Sequence, residues 1–505
     1  MTGGLPSLPI TTTGCKTLSS ELTNAATALA DQRFGDILAP LERAATLSTQ
    51  DLMHWQQVRD IAGRIGDDDV ALQAARELVR LAPKDLRHRL VLRELLGETG
   101  AVRDALTLAR KLEDERPTDP LLTLSCAVLL GRLGRDEEAV RALRTAMRRA
   151  PENPLAWEIL ANLKTFKPDD PLLQELRSLA ARSPDQPETA GLAYALGKAY
   201  DDVGDYEHAL HWFARGSARI LGKRLPRMDS FFQEAADVRA AFPADRIASG
   251  QSHARAERPI LVLGCPRSGT TLVERILATS PGAVSGGELK LLRLACLGFT
   301  PPSPERVARF VETAGGEQAA WERVAQTYVH KLQARFGTAD GTIDKGLVNY
   351  LYVGALAMGL PQARIVHVRR DPMDVAWSCF RRRFHSGLAW SYHFESIAAF
   401  LRVYQDTMDH WHAVLPGRVL TVEFEQLVND AEAETARLFD FVGLERPEDW
   451  RTFHERKGAV ITSSQLQVRR PLNSDGVGAW RRYEQFLGPL RDSLVRHGVR
   501  DVPAA

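Results

Sequence analysis

The stretch LVLGCPRSGTTL, residues 261–272, decides the fold of the second half of this 505-residue chain. The apolar run PILVLG ends at Gly264 and TLVERILA begins at Thr271, which predicts a strand, a glycine turn and a helix in succession. The spacing matches a nucleotide-binding P-loop, except that Thr270 stands where that loop has its lysine. Because backbone N–H groups and the helix dipole favour an anion at such a turn, we expect a phosphate-type ligand here.

The cation that the missing lysine would supply must come from another residue of this loop. Arg267 lies three residues before the lysine position, and its planar fork of donors suits an anion with several oxygens. Ser268, Gly269, Thr270 and Thr271 add hydroxyl and backbone donors. The alternatives for the stretch are an ordinary glycine turn with a surface arginine and the loop of a metal-dependent kinase.

A second group of candidate residues lies in ARIVHVRRDPMDVAWSCFRRRF, residues 363–384. Its apolar start predicts a strand that ends near Arg370, and the helix after Asp-Pro carries Ser378 eight residues beyond that arginine. Together with PILVLG and RVLTVEF (418–424), this strand predicts a parallel sheet in an α/β domain. Ligands bind at the carboxyl ends of such strands, so both residues are candidates for one phosphate. The arginines at 381–383 are expected to form a solvated helix face.

The first half of the chain has a different pattern, with a repeat period of 34 residues. Each unit has a glycine turn, an amphipathic run with a small alanine and a proline that ends the second helix, which predicts paired helices. The repeated positions are Gly63, Gly97 and Gly131; Gly66, Gly100 and Gly134; Ala71, Ala105 and Ala139; and Pro83, Pro117 and Pro151.

A further copy, LGKAYDDVGDYEHALHWF at residues 196–213, resembles the tetratricopeptide repeat consensus. The resemblance implies a superhelix of helix pairs over residues 20–222, whose concave groove holds a protein or peptide segment. In the alternative interpretation, the repeats only brace the next domain. A mixed stretch without a clear period follows, so we predict a linker over 223–257 and a second domain over 258–495.

Composition excludes several classes of protein. Lys and Arg number 65 against 64 Asp and Glu, so no global field attracts nucleic acid or an anionic membrane. The five cysteines never occur as C-x-x-C, which argues against a disulfide framework and a structural zinc site. No apolar run of about 18 residues and no signal-peptide pattern occur. We therefore expect a cytoplasmic protein without membrane insertion.

PRSGTT after a strand, followed by R-D-P-x-D-V-x-x-S, resembles the two phosphate-binding segments of sulfotransferases. Those enzymes use 3′-phosphoadenosine 5′-phosphosulfate (PAPS) as donor and need no metal. The similarity covers residues 258 to about 492 and is greatest to tyrosylprotein sulfotransferases and to bacterial fusions of tetratricopeptide repeats with a sulfotransferase. It implies a P-loop-like α/β domain with a central parallel sheet behind the repeat superhelix.

The resemblance implies a role for individual residues. The loop residues Arg267, Ser268, Gly269, Thr270 and Thr271 would hold the 5′-phosphosulfate, Arg370 and Ser378 the 3′-phosphate, and Ser464 and Arg470 in SSQLQVRRPLN would close over the nucleotide. Glu288 in SGGELKLL lies 21 residues after Arg267, as does the catalytic glutamate of the tyrosylprotein enzymes. Lys345 in TIDKGLVNY lies 25 residues before Arg370 and matches their catalytic lysine. Arg267 is implied to act in catalysis as well.

Two departures from the family pattern limit the carry-over. EFEQLV supplies Phe424 where the family often has a tyrosine that can reach a phosphate. SGGE places Gly287 where the animal enzymes have the first of two glutamates. The aligned base Glu288 is kept, but the preference for an acceptor does not carry over.

These features predict a PAPS-dependent sulfotransferase whose repeat groove recruits an acceptor protein or peptide. Tyrosine is the acceptor implied by the resemblance, and carbohydrate and small-molecule hydroxyls remain open. One alternative is an adaptor that binds a nucleotide without turnover and acts through its repeats. The other is a P-loop kinase, which the missing lysine disfavours. An ordinary surface ion pair with Asp344 is the alternative role for Lys345.

Overall fold

The computed structural model describes residues 20–31, 33–222, 227–249, 257–384, 388–456 and 467–504. Within these ranges the first half of the chain is helical and the second half holds a parallel sheet, which confirms the predicted fold class. Ser464, one of the predicted nucleotide contacts, lies outside the described residues.

Antiparallel helix pairs make up the first half. Its α-helices are α1 (Ser20–Ala30), α2 (Leu38–Ala45), α3 (Leu52–Ile65), α4 (Asp68–Leu81), α5 (Leu86–Glu98), α6 (Val102–Glu115), α7 (Pro120–Arg132), α8 (Asp136–Arg149), α9 (Pro154–Leu163), α10 (Pro171–Arg182), α11 (Ala190–Asp202) and α12 (Tyr206–Leu221). The repeated alanines Ala71, Ala105 and Ala139 are fully buried, as expected where two helices pack closely. Gly66 adopts the left-handed conformation that ends α3.

The starts of the first helices follow the same repeat. Asp51, Asp85, Asp119 and Asn153, spaced by 34 residues, each accept a hydrogen bond from a backbone N–H of the first turn of the helix that follows. Such a cap stabilises a helix by about 1 kcal/mol. The sequence analysis found the glycine and proline positions of the repeat but missed these caps.

The segment predicted to be a linker, 223–257, contains the helices α13 (Met228–Ala241) and α14 (Ala244–Ser249). Phe242, between them, is fully buried and packs against Trp321 and Trp411 of the second half. The segment is therefore docked on the second half, and the domain boundaries at 222 and 258 stay predictions.

The second half is built on five parallel strands in the order β2-β3-β1-β4-β5. They are β1 (Ile260–Leu263), β2 (Val284–Gly287), β3 (Thr342–Asp344), β4 (Arg364–Arg369) and β5 (Val419–Glu423). Every residue of β1 is buried, because helices cover both faces of the sheet, and this explains its unbroken apolar sequence. In register, Leu261 lies beside Asp344 of β3 and Ile365 of β4.

Helices of different lengths surround the sheet. They are α15 (Thr270–Leu277), α16 (Leu291–Ala295), α17 (Pro304–Ala314), α18 (Glu317–Phe336), α19 (Val353–Gly359), α20 (Pro372–Phe380), α21 (Phe394–Val414), α22 (Phe424–Asn429), α23 (Ala431–Val442) and α24 (Gly488–Arg496). Across the described ranges, every helix is too short or too polar to serve as a membrane span.

Basic side chains of the second half bind the turn ends of the repeat helices. Arg293 donates to the carbonyl oxygen of Ile65 at the end of α3, and Arg469 donates to that of Gly131 near the end of α7. A cation is favourable at a helix C-terminus, where unpaired carbonyl groups carry partial negative charge. The repeats are thus attached to the second half at several of their turns.

Candidate active site

Four of the predicted functional segments begin directly after a strand of the sheet. The glycine turn starts at Gly264 after β1, Glu288 follows β2, Lys345 follows β3 and Arg370 follows β4. These strands are consecutive neighbours and run parallel, so all four segments lie at the carboxyl edge of the sheet. That edge is where open α/β sheets bind ligands.

The glycine turn has a backbone that depends on its own sequence. Gly269 has φ +107°, and a side chain there would collide with the ring of Phe424. A side chain at Gly264 would collide with Ser268 in the same turn. Arg267 adopts φ +73°, a left-handed conformation that is uncommon for a residue other than glycine and concentrates at functional sites. Helix α15 begins immediately after this turn.

The structure brings the loop arginine and the predicted 3′-phosphate residues together. Arg267 Nε donates to Ser378 Oγ at 2.9 Å, and Arg370 Nη1 donates to the carbonyl oxygen of Arg267 at 2.9 Å. Arg370 also pairs with Asp374 at 3.4 Å. Two segments that lie more than 100 residues apart in the sequence therefore form one basic cluster.

This cluster holds positive charge with little access to water. Arg267 is buried, and burial lowers its pKa well below the ordinary arginine value, with Arg382 and Arg370 lowering it further. The Nε atom of Arg370 is buried and has no hydrogen-bond partner among the described residues. An anion bound here would relieve both penalties, since it supplies opposite charge and an acceptor.

Phe424 has a definite place in this cluster although it lacks the hydroxyl of the family tyrosine. Its ring lies under the guanidinium of Arg370, 4.6 Å from the ring centroid to Cζ. A cation over an aromatic face is stabilised by the ring quadrupole. Phe424 thus orients Arg370 through its ring rather than through a hydroxyl.

A cavity of about 230 Å³ opens beside the cluster, and we call it the donor cavity. The predicted residues that line it are Arg267, Gly269, Thr271, Arg370, Ser378 and Arg470. Apolar side chains, among them Leu272, Phe453 and Leu472, form another part of its wall. The cavity therefore offers both cationic donors and an apolar surface.

Lys345 and Glu288 form a second centre at the neighbouring strand ends. Lys345 Nζ donates to Glu288 Oε1 at 3.0 Å; the lysine side chain is 1% exposed and the glutamate side chain 36%. Glu274 lies 4.0 Å from the same Nζ and accepts hydrogen bonds from Ser285 and from the backbone of Gly287. The sequence analysis missed Glu274, because a glutamate inside the helix α15 pattern carries no distinguishing signal.

The structure does not support the surface ion pair between Lys345 and Asp344. Asp344 is fully buried and accepts hydrogen bonds from Tyr328, Asn349 and the backbone of Gly346. Burial raises the pKa of Asp344 to about 6, even though those three donors favour its charged form. The ammonium group of Lys345 instead contacts Glu288.

Not every predicted loop residue lines the donor cavity. The buried hydroxyl of Ser268 borders a separate cavity next to Cys265 and His367. Thr270 is buried at the start of α15 and is not part of the donor-cavity wall. Glu288 and Lys345 also lie outside that wall, at the ends of β2 and β3.

The arginines 381–383 do not form the solvated helix face that the sequence predicts. Each one contacts a repeat helix, in the pairs Arg381–Asp201 at 3.0 Å, Arg382–Asn162 at 2.8 Å and Arg383–Glu158 at 2.5 Å. The partners lie on α9 and α11, about 180 to 225 residues earlier in the sequence. Burial, together with Arg381, lowers the pKa of Arg382 to about 10. The sequence pattern gave no sign of these partners.

The cysteines within the described ranges are buried and free; they are Cys126, Cys265, Cys296 and Cys379. Burial raises the pKa of Cys379 to about 12, so this thiol stays protonated near neutral pH. In the same ranges, no group of three or more His, Cys, Asp or Glu side chains is arranged to hold a metal ion.

Comparison with known proteins assigns a family to the sheet-containing part of the chain. Residues 259–448 match the model of the sulfotransferase family. A putative protein-tyrosine sulfotransferase of Caenorhabditis briggsae is 24% identical over 233 residues, 44% of this chain and 81% of that protein. The sulfotransferase domain of the Synechococcus PCC 7002 olefin synthase is 21% identical with a TM-score of 0.37, covering 50% of this chain and 99% of that domain.

An uncharacterized protein of Aquifex aeolicus is 28% identical over 364 residues, which is 68% of this chain. The chain spans 46% of that relative's length, so the two proteins differ in extent. The match to the family model covers β1 to β5 and with them the glycine turn, Glu288, Lys345 and the Arg370 segment. The region from 259 to 448 is a domain of the sulfotransferase family.

Proposed function

We propose that this chain transfers a sulfuryl group from PAPS to an acceptor hydroxyl. The observation that carries the proposal is the meeting of Arg267, Ser378 and Arg370 at the same sheet edge as Lys345 and Glu288. Buried arginines suit a ligand with two phosphate-type groups. A lysine paired with a carboxylate suits the movement of a proton and of negative charge.

The residues present fit the donor nucleotide. The partnerless Nε of Arg370 and the buried charge of Arg267 call for an anion in the donor cavity. The apolar wall of that cavity, with Leu272 and Phe453, suits the faces of a purine. When bound, PAPS supplies an activated sulfuryl group attached to the 5′-phosphate. Arg267 and Thr271 would hold that end, and Arg370 and Ser378 the 3′-phosphate.

Glu288 is the proposed general base. Its carboxylate is partly exposed, so an incoming hydroxyl can reach it from solvent. As the acceptor oxygen forms a bond to sulfur, its proton passes to Glu288. The bond from sulfur to the bridging oxygen breaks, and its electrons remain on the nucleotide phosphate.

Lys345 and Arg267 are proposed to stabilise the charge that develops during this transfer. Both are buried, and a fixed cation in a site with little water interacts more strongly with new negative charge than it does in bulk solvent. The 3.0 Å contact with Glu288 also orients the carboxylate before the acceptor arrives. Glu274, 4.0 Å away, limits where the ammonium group can lie.

We propose protein tyrosine as the acceptor and the repeats as the means of recruiting it. The Caenorhabditis briggsae relative carries the name putative protein-tyrosine sulfotransferase, and the exposed Glu288 is accessible to a hydroxyl carried on a protein. The turn ends of α3 and α7 already contact Arg293 and Arg469. A recruited protein must therefore bind repeat surface that the second half leaves uncovered.

Nucleotide binding is the first test of this function. We expect the desulfated nucleotide 3′-phosphoadenosine 5′-phosphate (PAP) to raise the thermal midpoint, since a ligand that binds only the folded state stabilises it. ATP with magnesium should have little effect. Stabilisation by ATP with magnesium but not by PAP would support the kinase alternative and overturn the proposal.

Transfer is the second test. With labelled PAPS and a lysate of its own cell, the protein should label an acceptor, and Glu288→Ala should lower that rate by about 10²- to 10⁴-fold while PAP binding is kept. Locating the label on tyrosine would support the acceptor proposal. PAP binding without labelling would favour the adaptor alternative, and full turnover by Glu288→Ala would remove this residue from the mechanism.

A further inference from the structure

Helix α20, which carries Ser378, is held from outside the sulfotransferase domain. Arg381, one helical turn after Ser378, donates through Nη1 to Asp201 Oδ2 at 3.0 Å. Asp201 lies at the end of the repeat helix α11. Because residues three apart lie on one side of a helix, Arg381 and Ser378 move together.

Asp201 has a second partner in the wall around the donor cavity. Tyr483 OH donates to its other carboxylate oxygen at 2.5 Å, and burial, together with Asp201, raises the pKa of Tyr483, so the phenol stays a donor. The ring of Tyr483 packs on Trp377 with centroids 4.3 Å apart. Trp377 and Arg381 both line the donor cavity.

A short chain of contacts therefore leads from the repeats to the proposed donor site. It runs from Asp201 to Arg381, along α20 to Ser378, and from the Oγ of Ser378 to the Nε of Arg267 at 2.9 Å. The carboxylate of Asp201 is 18% exposed, and hydrogen bonds between charged groups that are shielded from water are strong and directional.

The other contacts between repeats and arginines at this point do not have the same reach. Glu158 pairs with Arg383 and Asn162 with Arg382, and neither arginine lines the donor cavity. Asp201 differs because Arg381 belongs to the cavity wall and Tyr483 supports it.

We infer that Asp201 is a positioning residue for the donor nucleotide, so that the repeats complete the donor site rather than only carrying an acceptor. The inference rests on the proposed function, since PAP is its ligand. Without the charge of Asp201, Arg381 and Tyr483 lose their shared acceptor, and α20 no longer holds Ser378 and Arg267 in place.

The test compares PAP binding by the wild type, Asp201→Asn and Asp185→Asn, titrated well below the thermal midpoint of each protein. Asp185 is the matched control, because it also bridges two side chains, Arg215 and Arg219, but both lie in the repeats. We expect Asp201→Asn to raise the Kd for PAP roughly tenfold, the equivalent of one charged hydrogen bond, and Asp185→Asn to leave it unchanged. Tyr483→Phe, which removes one donor, should have a smaller effect in the same direction.

The outcomes separate this inference from the proposed function. An unchanged Kd in Asp201→Asn, with tight PAP binding by the wild type, overturns the positioning role and leaves the sulfotransferase proposal intact. An equal rise of Kd in Asp185→Asn shows a general effect of repeat stability and overturns it as well. No PAP binding by the wild type overturns both.

Discussion

Two buried lysines of the second half, Lys331 and Lys345, have carboxylate partners that differ in their access to solvent. Lys331 on α18 pairs with Asp67 at 2.7 Å and Glu42 at 2.8 Å, across the contact with the repeats. Asp67 is fully buried and also caps α4. Lys345 pairs with Glu288, which lies partly exposed at the sheet edge.

The difference separates a structural charge from one available for chemistry. Burial opposes the charge of Lys331, but Asp67 and Glu42 outweigh it and raise its pKa, so the ion pair is fixed in the interface. An acceptor can approach Lys345 through its exposed partner. Burial alone therefore does not identify a catalytic lysine, and the surroundings of its partner do.

Lys331→Met should produce the largest loss of stability. It leaves the fully buried carboxylate of Asp67 without a cation, which costs about 4 kcal/mol, the usual size for breaking a buried ion pair. Urea unfolding measures this loss, and the transfer rate of the folded variant should stay near that of the wild type. A variant that keeps its stability but loses transfer would place Lys331 in the active site instead.

A double variant sharpens this expectation. Lys331→Met combined with Asp67→Asn removes the stranded charge together with its partner, so part of the lost stability should return. If the double variant is less stable than Lys331→Met by the full cost of Asp67→Asn, the two residues are not coupled.

Lys345→Met should act on the transfer rate rather than on the fold. Removing one preorganised donor to developing charge lowers rates by about 10²- to 10³-fold. Glu288 stays partly solvated in this variant, so no fully buried charge is left behind and the unfolding midpoint should move much less than in Lys331→Met. Labelled transfer with PAP titration checks this; loss of PAP binding equal to the loss of rate would contradict a role in the transfer step.

Asp344→Asn should remove a pH dependence of stability. The pKa of Asp344 is raised from 3.8 to about 6 in the folded state, so its favourable contribution is complete below pH 3.8 and is lost as the pH rises through 6. That loss amounts to roughly 3 kcal/mol at most. Urea midpoints across this window should fall for the wild type relative to Asp344→Asn, and parallel curves would show that Asp344 does not titrate there.

The sequence predicted what depends on local pattern. The glycine turn, the strand before it and the residues after the strands were predictable because apolar runs and turn residues mark them. Since parallel strands bring their ends to one edge, Glu288, Lys345 and Arg370 were expected near the loop, and the structure places them after adjacent strands.

The sequence did not predict what depends on partners far apart in the chain. Arg381 and Asp201 are separated by 180 residues, and nothing in either local pattern distinguishes them from solvated charges. Glu274 was missed for the same reason, because only the folded chain brings it to Ser285 and Lys345. The effect of Phe424 required the geometry of Arg370.

Phe424→Leu should have the smallest effect and tests the donor side of the comparison. It keeps an apolar side chain beside Gly269 but removes the ring face 4.6 Å from the guanidinium of Arg370. A partly desolvated cation–π contact contributes about 1 kcal/mol, so PAP should bind roughly fivefold more weakly, with the thermal midpoint little changed. Phe424→Tyr serves as the control, since it keeps the ring and should bind PAP at least as tightly as the wild type. If leucine binds PAP as well as phenylalanine does, Arg370 is held by Asp374 and the carbonyl group of Arg267 alone, and the aromatic ring has no part in the donor site.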